Sequence, residues 1–137
     1  MRVLIFFLAL VIHISAKAQL SLEVEVSKID DAGGQLEICL YKEGMGFMNS
    51  SKALECTWLE AIGNTHSYTF QSLKPGKYAV IVIQDLNGNK NLDTNIFGIP
   101  KEPYGFSTNP STTFGPPNFD GASFLIKSNK KITIELK

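Results

Sequence analysis

Hydrophobic and polar residues alternate with period two from the first residues past the apolar leader. Leu20, Leu22, Val24 and Val26 interleave with Ser21, Glu23, Glu25 and Ser27, the pattern of a half-buried strand. Asp31-Ala-Gly-Gly34 then supplies a turn. Leu36, Ile38 and Leu40 alternate with Glu37, Cys39 and Tyr41, which predicts a second strand paired with the first as a hairpin. Lys42–Ser51 is irregular and admits a short helix near Ser51–Glu55. Cys56–Ile62 and Thr65–Phe70 predict two further strands, separated by Gly63-Asn64. Pro75-Gly76 predicts a type II turn with Gly76 at positive φ. The run after it, Tyr78-Ala-Val-Ile-Val-Ile83, is apolar on both faces. A strand of that kind belongs in the middle of a sheet covered on both sides.

Periodicity then stops. From Asp85 to Asp120 the chain carries Pro100, Pro103, Pro110, Pro116 and Pro117 among many Asn, Gly, Ser and Thr residues. It resumes with a strand predicted over Gly121–Lys127 and another over Ile132–Leu136. The total is about seven short strands with hardly any helical periodicity, so the fold class is all-β: a single two-sheet antiparallel sandwich with one long loop before its last two strands. Unstructured connections of that length in small domains are either functional or disordered. This one holds Phe97, Tyr104, Phe106, Phe114 and Phe119, and disordered tracts are poor in aromatics. An ordered flap is therefore expected. Its aromatics form either a satellite core or a binding surface.

The amino terminus changes the picture of where this sandwich works. Met1-Arg2 is a short basic start, Val3–Ile14 is almost wholly apolar, and Ala16-Lys17-Ala18 has the form of a cleavage site. Residues 1–18 are expected to be a cleaved signal peptide and residues 19–137 the mature domain. The apolar run is too short for a bilayer, which takes about 20 residues, so no membrane span is expected after cleavage. The destination is periplasmic or extracellular. Cleavage removes both Arg2, the only arginine, and Lys17, so the 13 basic residues fall to 11 against 13 acids. A mature chain without arginine and with a slight negative charge is a poor nucleic-acid binder. Cys39 and Cys56 are the only cysteines. In an oxidising compartment an even pair suggests a disulfide, although two buried small apolar side chains would read the same way.

Candidate chemistry concentrates in Asp85-Leu-Asn-Gly-Asn-Lys-Asn-Leu-Asp93, where oxygen-bearing side chains fall at Asp85, Asn87, Asn89, Asn91 and Asp93. Alternate oxygens on a looping backbone can gather around Ca²⁺. Against the EF-hand pattern, Lys90 stands where the sharp turn wants glycine and Ile96 where a bidentate Glu closes the shell, so Glu102 or Asp120 would have to return to complete it. Such a site would be weak, roughly 10⁻⁴–10⁻³ M. The same residues also build tight polar turns without any ion. No catalytic residues are assigned. His66 is the sole histidine of the mature chain, and no serine lies in a G-x-S-x-G elbow.

The order Leu-Lys-Pro-Gly-Lys-Tyr-Ala-Val (73–80), the 85–95 motif, Phe-Gly-Ile-Pro-Lys-Glu-Pro-Tyr-Gly-Phe-Ser (97–107) and Phe-Gly-Pro-Pro-Asn-Phe-Asp-Gly-Ala-Ser-Phe (114–124) resembles the DUF2141 family, secreted bacterial proteins of unknown function. The resemblance implies a small exported domain of prealbumin-like or Ig-like outline and brings no activity with it. Family members often carry His where this chain has Gln84 and Gly where it has Lys90. The expectation is thus an exported, non-catalytic binding or interaction module for a protein, peptide or glycan. A small hydrolase using loop carboxylates and a purely structural accessory domain are the alternatives.

Overall fold

Leu22, Val24 and Val26 are fully buried while their neighbours face outward, so the first alternation folds as β1 (Leu20–Ser27). The computed structural model describes residues 19–137, and the leader read in residues 1–18 lies outside the described residues. Seven more strands follow: β2 (Gln35–Lys42), β3 (Glu55–Glu60), β4 (Thr65–Leu73), β5 (Gly76–Asp85), β6 (Tyr104–Phe106), β7 (Phe124–Ile126) and β8 (Lys130–Glu135). One sheet has the order β4-β1-β8. The other has the order β3-β2-β5-β6, with β7 also paired to β5. The result is a β-sandwich.

The predicted hairpin between the first two strands does not form. β1 pairs with β4 in antiparallel and with β8 in parallel, whereas β2 pairs with β3 and β5 in the opposite sheet. The first sheet is therefore mixed rather than antiparallel. Period two tells which face of a strand is buried and not which strand lies beside it. Here β1 and β2 bury their faces against each other across the interior. The crossing segment is held by Gln84, which is fully buried near the end of β5. Its Oε1 accepts from the Asp30 N–H at 2.8 Å, and its Nε2 donates to the carbonyls of Asp30 (2.8 Å) and Gly33 (2.7 Å). Gly34, at φ 83°, lies so close that a Cβ would stand 2.1 Å from the Asp85 carbonyl oxygen.

Three other expectations change in detail. Gly76 is not left-handed: it pairs with Ile126 as the first residue of β5, and the positive φ falls inside β4 at Ser72 (φ 58°), where the pairing with β1 shifts register. Gly121 and Ala122 belong to a four-residue helical turn, α1 (Phe119–Ala122), because the Asn118 side chain caps it by accepting from the Gly121 N–H at 2.8 Å; only Phe124–Ile126 remains as a strand. The long loop re-enters the sheet as β6, which pairs Tyr104–Phe106 with Ile81–Ile83.

β5 is covered on both faces, as its sequence predicts, by two different structures. Val80 and Val82 join Leu22, Val24, Leu36, Ile38 and Phe70 between the sheets. Ala79 and Ile81 face outward into a second cluster with Cys39, Tyr41, Phe106 and Ala122, roofed by Phe47 of the 42–52 loop and Phe119 of α1. Cys39 and Cys56, direct cross-strand partners on β2 and β3 with Cα atoms 4.1 Å apart, form a disulfide.

Candidate binding cleft

The outer face of the larger sheet is left partly open between the 42–52 loop and the flap. Alternation puts Glu37, Cys39 and Tyr41 of β2 on this face, beside Ile81 and Ile83 of β5 and Tyr104 and Phe106 of β6. Met48 and Ser50 wall one side, and Lys90, Asn91 and Leu92 the other, around a space of about 190 Å³. A second space of about 410 Å³ shares Met48, Leu92, Tyr104 and Phe106 and extends under Phe97, Ile99, Thr112 and Pro116. The shared residues make the two spaces halves of one cleft. At its wider end Phe97 is 81% exposed and Ile99 59%, with Met48 (49%) on the opposite lip. Exposed apolar side chains gathered around a concavity mark an interaction site more often than scattered ones do.

The five flap aromatics have separate fates. Phe97, Tyr104 and Phe106 line the cleft. Phe114 is fully exposed beside it, between the lining residues Thr113 and Gly115. Phe119 packs edge-on against Phe47 with centroids 5.7 Å apart and has the Lys77 ammonium above its ring, so it belongs to the outer core. Glu37, Tyr41 and Met48 were not singled out by sequence reasoning. The available signal was the two-sided apolarity of β5, which requires something to cover the outer face.

The flap is anchored by carboxylates. Asp85, 1% exposed, accepts from the N–H of Gly88 through Oδ1 and from that of Lys90 through Oδ2, both at 2.8 Å. Glu102, 6% exposed, accepts from Leu86 N–H (2.9 Å) and Asp93 N–H (3.0 Å). Asn87 Oδ1 accepts from Asn89 N–H and Asn89 Oδ1 from Asn91 N–H, while the side-chain amides of Asn87 and Asn89 donate to the Asp93 carboxylate. The oxygens that a cation would use are thus turned toward the loop's own N–H groups. Lys90 takes a left-handed φ of 60°, a conformation glycine adopts freely and a side chain resists. Among the described residues the metal-type cluster of three is Glu37, Cys39 and Cys56, and the disulfide takes both sulfurs out of play.

Two groups in the narrow half are perturbed. Burial, and secondarily the charge of Asp85, raises the Glu37 pKa above the usual carboxylate range. Burial pushes Tyr41 up to about 12, with Glu37 adding to it. Tyr41 therefore stays a neutral hydroxyl at any physiological pH.

The motif order along the flap and this framework meet in a single comparison: residues 24–135 match the family model described as an uncharacterized protein conserved in bacteria, DUF2141. The chain belongs to the DUF2141 family. Gly in place of Lys90, common in the family's pattern, suits the left-handed turn found there. The family's frequent His falls at the Gln84 bracket, not in the cleft. No curated protein matches the chain. A solved structure, a fimbrial assembly protein from Parabacteroides distasonis ATCC 8503, is 12% identical with a TM-score of 0.40, covering 87% of this chain and 52% of that one. The chain thus spans about half that protein's length. Among the described residues no helix is long and apolar enough to cross a membrane.

Proposed function

We propose that the protein is an exported, non-catalytic binding module that takes its ligand in the outer-face cleft beneath the flap. The gathering of exposed Phe97, Ile99 and Met48 around one apolar space carries this reading. The Cys39–Cys56 disulfide suits an oxidising compartment. Asp85 and Glu102, the acids a hydrolase would draw on, are each committed to two backbone N–H groups, which favours a bracing role. Nile red, a neutral apolar dye, is the probe. Its fluorescence should report saturable binding to the folded protein. The double variant Phe97→Ser/Ile99→Ser should weaken binding at least about tenfold, since each side chain contributes on the order of 1.5–3 kcal/mol when covered. Its melting temperature should not move, because both side chains are exposed. Dye affinity equal to the wild type's would refute the cleft.

The 85–93 loop serves this module as a brace closed by its own carboxylates and amides. Addition of about 10 mM Ca²⁺ should leave the melting temperature within about a degree. Occupancy with a dissociation constant near 0.1 mM would instead raise it on the order of ten degrees and assign the loop to a cation.

A further inference from the structure

The narrow half of the cleft ends in polar groups that the rest of the fold does not use. Glu37 and Tyr41 flank Cys39 on the outer face of β2 and both line this space. Among the described residues the Glu37 carboxylate has neither a hydrogen bond nor an ion pair, and nothing around it lowers its pKa. Tyr41 is 2% exposed as a whole, and its hydroxyl makes no hydrogen bond among the described residues. Since no buried side-chain nitrogen or oxygen there lacks a partner, that hydroxyl is open to solvent, and Tyr41 lines the cleft. A hydroxyl open to the cleft and an unpaired carboxylate on the same wall can both still accept a hydrogen bond from a ligand. The carboxylate's charge is uncompensated. Asp85, close enough to be felt by Glu37, adds a second negative charge. The nearby cation, Lys90, is held over the ring of Trp58, the cross-strand partner of Glu37, at 5.7 Å from the centroid.

We propose that the cleft binds a primary ammonium carried on an apolar stem. The ammonium would donate to the Glu37 carboxylate and the Tyr41 oxygen, and the stem would run past Met48, Tyr104 and Phe106 into the wider half. This rests on the cleft being the ligand site. The three donors of an ammonium can serve the Glu37 carboxylate and the Tyr41 oxygen together. Partial burial of Glu37 makes a contact to its carboxylate worth more than a fully exposed one.

The test compares 2-phenylethylamine with 2-phenylethanol, which share a stem and differ in the polar end. Binding is followed by fluorescence of the single tryptophan, Trp58, and by calorimetry. The amine should bind about tenfold or more tightly, and Glu37→Gln should bring it down to the alcohol's affinity. A blocked peptide with lysine between two leucines, set against the same peptide acetylated on the lysine, separates the two sources of such an amine. Affinity above that of phenylethylamine assigns the site to a partner's lysine side chain, and affinity below it to a free amine. Equal binding of amine and alcohol overturns the ammonium assignment while leaving the cleft standing. If neither they nor Nile red bind, the cleft itself falls.

Discussion

Val80→Asp should leave little folded protein at 25 °C. Val80 is fully buried between the sheets, in contact with the cluster that holds Leu36, Ile38 and Phe70. Its strand is the middle of the larger sheet, bounded by β2 on one side and by β6 and β7 on the other. An aspartate there has no partner and no path to water. It must either bury its charge or take up a proton, and in addition it loses the valine's packing. The combined loss is about 4–5 kcal/mol or more, close to the whole stability of a marginal domain. Ile81→Asp is the control. Ile81 lies on the outer face, 8% exposed, and lines the cleft. Its replacement can turn its carboxylate toward solvent, so the loss should be nearer 2 kcal/mol. Urea or thermal melts of both variants measure the difference. A Val80→Asp protein melting with the wild type would mean that the central position of β5 is wrong.

That centrality was legible because apolarity on both faces leaves a strand few other places to go. The sandwich itself was legible for the same reason: β1, β2, β4 and β8 announce themselves by period two. Their neighbours did not. Nothing in Leu20–Ser27 says that it pairs with Lys130–Glu135 in parallel rather than with Gln35–Lys42, because pairing is set by the crossing segments and not by the strands. The flap was legible as ordered and aromatic, yet its return into the sheet as β6 was hidden, since three residues are too few to show a period. At the site the sequence pointed to oxygens at Asp85, Asn87, Asn89 and Asp93 and could not tell whether they face an ion or their own backbone. Turn-forming and cation-binding loops draw on the same residues. Glu37 and Tyr41 read as ordinary outward positions of a strand. Only the third dimension, which brings the 42–52 loop and the flap over that face, turns them into the lining of a cleft.

Gln84→Leu should be among the most damaging substitutions that keep side-chain size. Leucine fills nearly the same volume and is at home in a buried site, so packing alone predicts little change. The hydrogen bonds predict otherwise. Gln84 supplies one acceptor and two donors to the Asp30 N–H and the carbonyls of Asp30 and Gly33, all at 2.7–2.8 Å. Leucine strands three backbone groups at once. Each buried orphan costs about 1–3 kcal/mol. This segment is only part-buried and water can reach some of it, so the total should sit near 3 kcal/mol. Gln84→His, the residue the family's pattern often carries here, can still accept at one ring nitrogen and donate from the other, and should fall between wild type and Leu. The consequence should extend into the cleft. Gly34 packs against the carbonyl of Asp85, and Asp85 is the root of the flap through Gly88 and Lys90. Loosening the 28–34 crossing therefore loosens the wall that carries Leu92 and Phe97. Gln84→Leu should speed amide exchange at Asp30, and at Gly88 and Lys90 as well, and should weaken Nile red binding while β5 itself stays protected. Faster exchange at Asp30 alone, with Gly88 and Lys90 unchanged, would show that the bracket supports the sandwich without supporting the site.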